Sequence, residues 1–155
     1  MQHLDQVLET VKEFSSQLGF PGDLTVTGQF DKEADLYQVL IETQTPGPII
    51  GFHGETLSSL QLLVGQHLHA KIGEWLNLSI NVNDYRQRRE TSLKSLADSA
   101  VNQVLSTNTP HQLPPMPSSE RRIIHLYLSE NPNVATESVG LGKNRYLVIS
   151  PKNPA

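Results

Sequence analysis

Hydrophobic residues recur at helical spacing in some stretches of the chain and alternate with polar residues in others, and this change of period limits the fold more than any other feature. Helical spacing predicts helices over 3–18, 55–72, 84–105 and 118–129. Alternation predicts strands over 24–30, 34–43, 76–82, 134–139 and 145–150. Helices interleaved with short strands in this order indicate an α+β fold.

The helical spacing also predicts which side chains face the core. On residues 55–72 they are Leu57, Leu60, Leu63, Val64 and Leu68. On residues 84–105 they are Leu93, Leu96, Ala97, Ala100, Val101, Val104 and Leu105. On residues 118–129 they are Ile124, Leu126 and Leu128. Trp75 and Tyr85, on either side of the third strand, are also interpreted as packing residues.

Residues 106–119 contain four prolines and no helical period, so they predict a linker. We therefore expect domains at 1–83 and 84–155, with helix 84–105 as a hinge and 106–117 as the linker. The first domain has three Lys/Arg and ten Asp/Glu, a net charge of −7. The second has nine Lys/Arg and six Asp/Glu, a net charge of +3. The basic domain can hold a polyanion although the whole chain has a net charge of −4.

Several classes of function find no support in the sequence. The chain has no cysteine, which excludes disulfides and thiolate metal sites. No apolar run approaches the roughly 20 residues of a membrane span, and residues 1–14 do not have the character of a signal or transit peptide. No G-x-S-x-G, Walker or H-E-x-x-H motif is present, and His67 and His69 face different sides of a helix. We expect a cytoplasmic protein that is not an enzyme and has no cofactor or metal.

The tetrapeptide at 51–54 (GFHG) lies between an extended segment and a long predicted helix. Glycines permit positive φ and let a phosphodiester backbone approach main-chain N–H groups closely. The N-terminus of the following helix adds a partial positive charge. Beside the loop, Ile49, Ile50 and the edge of strand 34–43 are expected to form an apolar groove for the bases of a single strand. The alternative is a helix-entry turn whose glycines serve only its tight geometry.

Residues 120–128 (ERRIIHLYL) place Arg121 and His125 four residues apart, so both side chains project from one face of a helix. Guanidinium and imidazole donors on one face can hold a phosphate, and Arg122 is expected to point elsewhere. The alternative is that Arg121 pairs with Glu120 or the linker and that His125 is half-buried with its hydrogen bonds satisfied.

Three arginines, Arg86, Arg88 and Arg89, open the predicted helix 84–105. As a basic patch they could extend the path of a nucleic-acid strand between the two domains. A solvated helix face paired with neighbouring carboxylates is equally compatible with the sequence.

Two segments of the chain resemble known nucleic-acid-binding domains. IIGFHGETLSSLQLLV (49–64), preceded by one helix and two strands, resembles a KH domain of the type whose extra helix and strand lie at the N-terminus. PPMPSSERRIIHLYL (114–128), followed by ESVGLGKNRYLVIS (137–150), resembles an R3H domain, named for an Arg and a His with three residues between. Together with DYRQRRETSLKSLADSAVNQVL (84–105), these motifs resemble the bacterial Jag (SpoIIIJ-associated) family, which joins KH to R3H.

This resemblance spans roughly residues 35–152 and implies a more specific fold class. The expectation is α+β: a type II KH domain (αββααβ-like) followed by a small R3H α+β domain. It implies a non-enzymatic protein that binds single-stranded nucleic acid, with RNA favoured, in post-transcriptional or cell-envelope regulation. A protein-interaction scaffold with degenerate nucleic-acid surfaces and a single-stranded DNA-binding protein are the alternatives.

The resemblance also implies partners and contact residues. Its members pair with a small KH-only protein, and strand 24–28 could be an edge for such a partner or for a second copy of the chain. The middle of the loop at 51–54 departs from the Lys or Arg usual in KH domains. The residues expected to contact nucleic acid are Ile50, Gly51, Phe52, His53, Gly54, Arg86, Arg89, Arg121, His125, Lys143 and Arg145.

Overall fold

The computed structural model describes residues 3–152 and confirms the α+β class. Within these residues the helices are α1 (Leu4–Gln17), α2 (Gly47–Ile50), α3 (Glu55–Ile72), α4 (Tyr85–Thr107) and α5 (Ser118–Leu128). The strands are β1 (Thr25–Asp31), β2 (Leu36–Glu42), β3 (Leu78–Val82), β4 (His111–Gln112), β5 (Val134–Val139) and β6 (Tyr146–Pro151). No helix in this range combines the length and the apolar character needed to span a bilayer. The chain divides into two compact units between Arg86 and Gln87.

The first unit is a three-stranded sheet on which α1 and α3 pack. β2 is the central strand, antiparallel to β1 and parallel to β3, so that Val26 lies opposite Ile41 and Val39 lies opposite Ile80. The predicted edge position of strand 24–28 is confirmed, because within residues 3–152 β1 pairs with β2 alone. One buried cluster joins the sheet to the helices: Val7, Val11, Val26, Tyr37, Val39, Ile41, Ile49, Ile50, Leu57, Leu60, Val64, Leu68, Ile80 and Val82.

The second unit has its own three-stranded sheet, in which the central strand β6 is antiparallel to both β4 and β5. Alternating residues of β6, such as Leu147 and Ile149, face inward and are buried. A second buried cluster unites the sheet with α4 and α5: Leu93, Ala97, Ala100, Val101, Val104, Leu113, Met116, Ile124, Leu128, Val134, Leu147 and Ile149. Each unit thus has a core drawn entirely from its own residues.

A short helix, α2, directly precedes the glycine tetrapeptide. Pro46 is its N-cap residue and Pro48 lies in its first turn, where a missing N–H leaves no helical hydrogen bond unmade. The N–H of Ile50 donates to the carbonyl of Pro46 at 3.0 Å. The expected extended conformation at Ile49 and Ile50 is therefore wrong, because both residues are helical and buried.

Four leucines predicted to face the core are exposed: Leu63, Leu96, Leu105 and Leu126. The first three are sequence neighbours of a buried helix residue and lie about 100° around the axis from it, at the margin of the apolar stripe. Leu126 lies two residues from both Ile124 and Leu128, which places it on the opposite face of α5. Of the three α5 residues predicted to face the core, only Ile124 and Leu128, four residues apart, are therefore buried.

The proline-rich segment between α4 and α5 is more structured than the sequence predicts. α4 continues to Thr107, and β4 then pairs with β6. The N–H of Leu113 donates to the carbonyl of Leu147 at 2.9 Å, and the N–H of Met116 donates to the carbonyl of Arg145 at 3.2 Å. Leu113 and Met116 are both buried in the second cluster. The segment therefore supplies core residues and is more than a tether.

The aromatic residues of the first unit differ in their exposure. Tyr85 packs against the first buried cluster, as expected. Trp75 was expected to pack as well, but it is 67% exposed and stacks on His69, with ring centroids 4.1 Å apart and planes 7° apart. His67 contacts Phe14 edge-on, with ring centroids 5.3 Å apart. No group of three or more His, Asp or Glu in residues 3–152 is arranged to hold a metal ion.

Candidate nucleic-acid interface

Helix α5 and strand β5 present two basic and two hydroxyl side chains in matching register. Arg121 and His125 are about 6 Å apart along the helix axis, since each residue rises about 1.5 Å. Thr136 and Ser138 lie two residues apart on one face of β5, about 6.6 Å along the strand. Because the two spacings agree, Arg121 meets Ser138 and His125 meets Thr136.

Arg121 is fixed by two hydrogen bonds from its guanidinium. Nε donates to the carbonyl of Met116 at 3.2 Å, and Nη1 donates to the hydroxyl of Ser138. A guanidinium has five N–H donors, and Nη2 has no acceptor among residues 3–152. The alternative that Arg121 pairs with the linker is therefore partly realised through Met116. The guanidinium is held in place and keeps donors for an anion.

His125 is exposed, in contrast to the half-buried alternative. Its Nδ1 and the hydroxyl of Thr136 are 2.6 Å apart and share a hydrogen bond. A bond at Nδ1 fixes the orientation of the ring and leaves Nε2 for a second partner. The imidazole and the guanidinium of Arg121 are therefore both oriented by β5.

These side chains line an open pocket of about 420 Å³. Arg122 also lines it, so the expectation that Arg122 points elsewhere is wrong: Ser118, Arg122 and His125 recur at i, i+4 and i+7 and share one side of α5. The lining includes two arginines, a histidine and three hydroxyl residues beside one carboxylate, Glu137, and this excess of donors suits a phosphate. The full lining is Ser118, Arg121, Arg122, His125, Thr136, Glu137, Ser138 and Leu147.

A buried ion pair ties the start of α5 to α4. Glu120 is 4% exposed, and its two carboxylate oxygens accept hydrogen bonds from Arg89, Nε to Oε1 at 2.7 Å and Nη2 to Oε2 at 3.0 Å. Farther along, the hydroxyl of Tyr127 donates to the carboxylate of Asp98 at 3.0 Å, which raises the pKa of Tyr127. Arg89, expected to contact nucleic acid, thus holds α5 in position, and its contact with nucleic acid stays a prediction.

Arg86, a second member of the predicted basic patch, is engaged within the first unit. Its Nε donates to the carbonyl of Ile80 at 3.1 Å and its Nη2 donates to Oε1 of Gln61 at 3.0 Å. Partial burial lowers the pKa of the Arg86 guanidinium, which still carries its charge at neutral pH. Arg88, the third member, is exposed.

Lys143 and Arg145 lie in the turn between β5 and β6, and both are exposed. Neither is among the residues that line the pocket. The turn is nevertheless linked to the pocket through one residue: the N–H of Met116 donates to the carbonyl of Arg145, and the carbonyl of Met116 accepts from Arg121 Nε.

The glycine tetrapeptide forms a tight turn ahead of α3. Gly51, His53 and Gly54 have φ values of 70°, 51° and 78°. A Cβ on Gly51 would overlap the side chain of Thr56, and a Cβ on Gly54 would lie 3.1 Å from the ring of Tyr85. Gly51 is therefore required by packing as well as by its φ, whereas Gly54 is favoured chiefly by its φ, with Tyr85 in close contact.

The turn exposes its middle and the start of α3. Phe52 is 75% exposed, and its ring lies edge-on to that of His53 with centroids 4.1 Å apart. Gly54 is the N-cap residue of α3 and provides no side-chain hydrogen bond to the first turn. Main-chain N–H groups at such an uncapped helix start can bind an anion.

The apolar groove predicted beside this loop is not formed by the expected residues. Ile49 is fully buried and Ile50 is 9% exposed, because α2 turns both side chains into the core. β2 is hydrogen-bonded on both sides and offers no free edge. Ile50, expected to contact bases, is therefore a core residue and can approach nucleic acid only through its main chain.

Comparison with known proteins finds relatives along nearly the whole chain. The sequence profile of the R3H domain family matches residues 91–151. The RNA-binding protein KhpB of Bacillus subtilis is 37% identical over 154 residues, which cover 98% of this chain and 71% of that protein. The RNA-binding protein KhpB of Streptococcus pneumoniae is 34% identical over 146 residues, which cover 94% of this chain and 44% of that protein. The chain thus spans less than half the length of the pneumococcal relative.

Proposed function

The chain belongs to the family of the RNA-binding protein KhpB, and from this membership we propose that it binds single-stranded RNA in the bacterial cytoplasm, without catalysis. The observation that carries the proposal is the register of Arg121 and His125 against Ser138 and Thr136, which orients donors into one pocket. A phosphate of the RNA backbone is the group that this set of donors fits. Post-transcriptional control, including that of envelope growth, is the role we assign to this binding.

We propose further that the first unit acts as a type II KH domain. Its element order, αββααβ, and the positive φ values around the loop support this assignment. In this proposal the main chain at 51–54 and the start of α3 hold phosphates, while Lys143 and Arg145 add contacts in the second unit. Arg86 and Arg89 are proposed to contact the RNA in addition to the protein groups that they bind.

The test is the affinity of the chain for a fluorescein-labelled single-stranded RNA, measured by anisotropy over a series of KCl concentrations. Four to six phosphate contacts predict a log–log salt slope of about −3 to −4. Combining Arg121→Ala with His125→Ala should weaken binding roughly 10- to 100-fold and reduce the slope by about 0.7, because the one phosphate that this pair holds is lost. Lys32→Ala, which removes an exposed charge beyond β1, is the control and should leave both values unchanged.

The loop is better tested at its middle than at its glycines. Gly51→Asp would create the overlap with Thr56 and could misfold the unit, so loss of binding would be uninformative. Phe52→Asp with His53→Asp places two carboxylates at the loop tip, and Asp tolerates the positive φ of position 53. This variant should bind RNA more weakly with an unchanged urea midpoint. If it and the Arg121/His125 variant both bind as the unaltered chain does, the phosphate sites are wrongly assigned.

A choice between RNA and DNA requires direct competition. An unlabelled DNA of the same sequence should displace the RNA less effectively than unlabelled RNA does. Equal displacement would favour a general single-strand-binding protein, and an absence of nucleic-acid binding by the unaltered chain would favour the scaffold alternative.

We also propose that β1 pairs with a partner strand, either from a small KH-domain protein or from a second copy. The edge position of β1 and its exposed residues Thr25, Thr27 and Gln29 favour this role. Light scattering after size exclusion should show a dimer, alone or with such a partner. Thr27→Pro should reduce the fraction of dimer in this measurement if β1 forms the interface.

A further inference from the structure

The turn between β5 and β6 carries an apolar side chain that no packing requirement explains. Leu141 is 87% exposed, more than any other large hydrophobic residue in the described part of the chain. Exposing a leucine to this extent forgoes the stabilisation that burial of its side chain would contribute. The turn is short and ordered, with Asn144 N–H donating to the carbonyl of Leu141 at 3.2 Å.

Glycines on both sides fix the outward direction of this side chain. Gly140 has φ of 92°, and a Cβ there would lie 3.0 Å from the carbonyl oxygen of Asn144, so the turn closes directly against it. Gly142, with φ of 55°, starts the 3₁₀ turn that follows. Leu141 itself is extended and projects from the tip between the two glycines.

The tip is also basic and adjoins the phosphate pocket. Lys143 and Arg145 follow Leu141 by two and four residues and are exposed. Ser138, which contacts Arg121 in the pocket, precedes Leu141 by three residues, about 10 Å along the chain. The carbonyl of Arg145 is joined to the same guanidinium through the backbone of Met116.

We infer that Leu141 is a base-contacting residue: it packs against an unstacked nucleobase of the RNA whose phosphates lie at the pocket and at Lys143 and Arg145. This inference rests on the proposed RNA binding. An apolar side chain flanked by cations matches a single strand, in which apolar base faces alternate with phosphates. A lipid surface fits less well, since one leucine buries far less than a myristoyl chain, whose membrane binding is only marginal.

The salt dependence of binding separates contact with a base from contact with a phosphate. Leu141→Ser should lower RNA affinity about fivefold and leave the log–log salt slope unchanged. Lys143→Ala with Arg145→Ala should instead reduce the slope by about 1.4, through the loss of two phosphate contacts. Leu141→Ser should keep the urea midpoint of the unaltered chain, because the side chain is exposed.

A second variant gives a direct signal from the tip. Trp75 is the single tryptophan of the chain, so Leu141→Trp with Trp75→Phe places the only indole at the turn. RNA should quench the fluorescence of this indole, because an aromatic ring stacks on a base. The variant should bind RNA at least as tightly as the unaltered chain does. Inorganic polyphosphate, which has no bases, should not quench it.

The inference and the proposed function fail in different ways. If Leu141→Ser binds RNA with unaltered affinity while the Arg121/His125 variant loses it, RNA binding stands and the base contact is wrong. Quenching by polyphosphate equal to that by RNA would also overturn the base contact. If the unaltered chain binds no RNA, the proposed function falls.

Discussion

At the scale of single residues, the buried pairing of Arg89 with Glu120 should contribute to stability. The side chain of Glu120 is 6% exposed and that of Arg89 is 31% exposed. Arg89→Ala leaves the carboxylate buried without its fork of donors, which costs more than the pair itself contributes. We expect a loss of about 3 kcal/mol in the free energy of unfolding, measured by urea denaturation followed by circular dichroism.

The matched control is an ion pair on the surface of the same helix. Lys94 Nζ lies 2.7 Å from Glu90 Oε1, with side chains 42% and 50% exposed. Lys94→Ala should leave the urea midpoint nearly unchanged, because solvent screens the pair. Losses of similar size in the two variants would show that burial does not distinguish the pairs.

Asp23 gives the first unit a pH-dependent contribution to stability. The N–H of Gln44 donates to its carboxylate at 2.8 Å and the hydroxyl of Thr43 donates at 3.1 Å. These bonds, with that from Gln44 as the largest cause, lower the pKa of Asp23. A group with a lowered folded pKa stabilises fully above its unfolded pKa, about 3.9, and this stabilisation is lost as the pH falls through the folded value.

Asp23→Asn should therefore have a lower urea midpoint than the unaltered chain at neutral pH. The difference should shrink as the pH falls below about 3.9, because the native carboxylate then becomes protonated too. A difference that stays constant from neutral to acidic pH would mean that the charge of Asp23 does not contribute.

At the scale of elements, period and glycine placement predict most helices and strands, but not the partner of each face. The strand at 134–139 and the helix at 55–72 have the predicted bounds, since local spacing alone determines them. The pairing of α5 with β5 depends on topology, and so Thr136, Ser138 and Arg122 could not be assigned to the pocket from the sequence. The i, i+4 spacing of Ser118 and Arg122 is one sequence pattern that indicates a shared helix face for pocket residues.

The proline-rich segment also shows that local sequence does not predict which distant element a segment packs against. Prolines predict the absence of helix, and the segment has none between α4 and α5. They do not predict whether the side chains between them are buried, because burial depends on the distant strand β6. Leu113 is 3% exposed for that reason.

Leu113→Ala tests whether this segment is part of the core. Truncating a buried leucine leaves a cavity, so we expect a loss of about 2–5 kcal/mol in the free energy of unfolding. Leu126→Ala removes the same atoms from a side chain that is 57% exposed and should cost less than about 0.5 kcal/mol. If the two variants have the same urea midpoint, the proline-rich segment does not contribute to the core.

At the scale of the whole molecule, charge and packing both divide the chain. The chain has a net charge of −4, yet residues 84–155 have +3 and contain the pocket. A local positive field is what a polyanion meets at short range, while the net charge acts at longer range and is screened by salt. RNA binding to an acidic protein is therefore consistent with the placement of its basic residues.

The two buried clusters share no residue, and each lies within one unit. We therefore expect the units to unfold separately. Trp75 belongs to the first unit, so its fluorescence reports on that unit alone, whereas circular dichroism reports on both. Ile149→Ala, at a fully buried site in the second unit, should lose about 2–5 kcal/mol there. It should shift part of the dichroism transition to lower urea and leave the Trp75 transition in place.

Ile80→Ala, at a fully buried site in the first unit, is the reciprocal variant and should shift the Trp75 transition. Both variants remove the same atoms from fully buried positions, so they compare the same kind of destabilisation in the two units. A Trp75 transition that moves equally in both variants would show that the two cores unfold as one cooperative structure, and the separation into independent units would then be wrong.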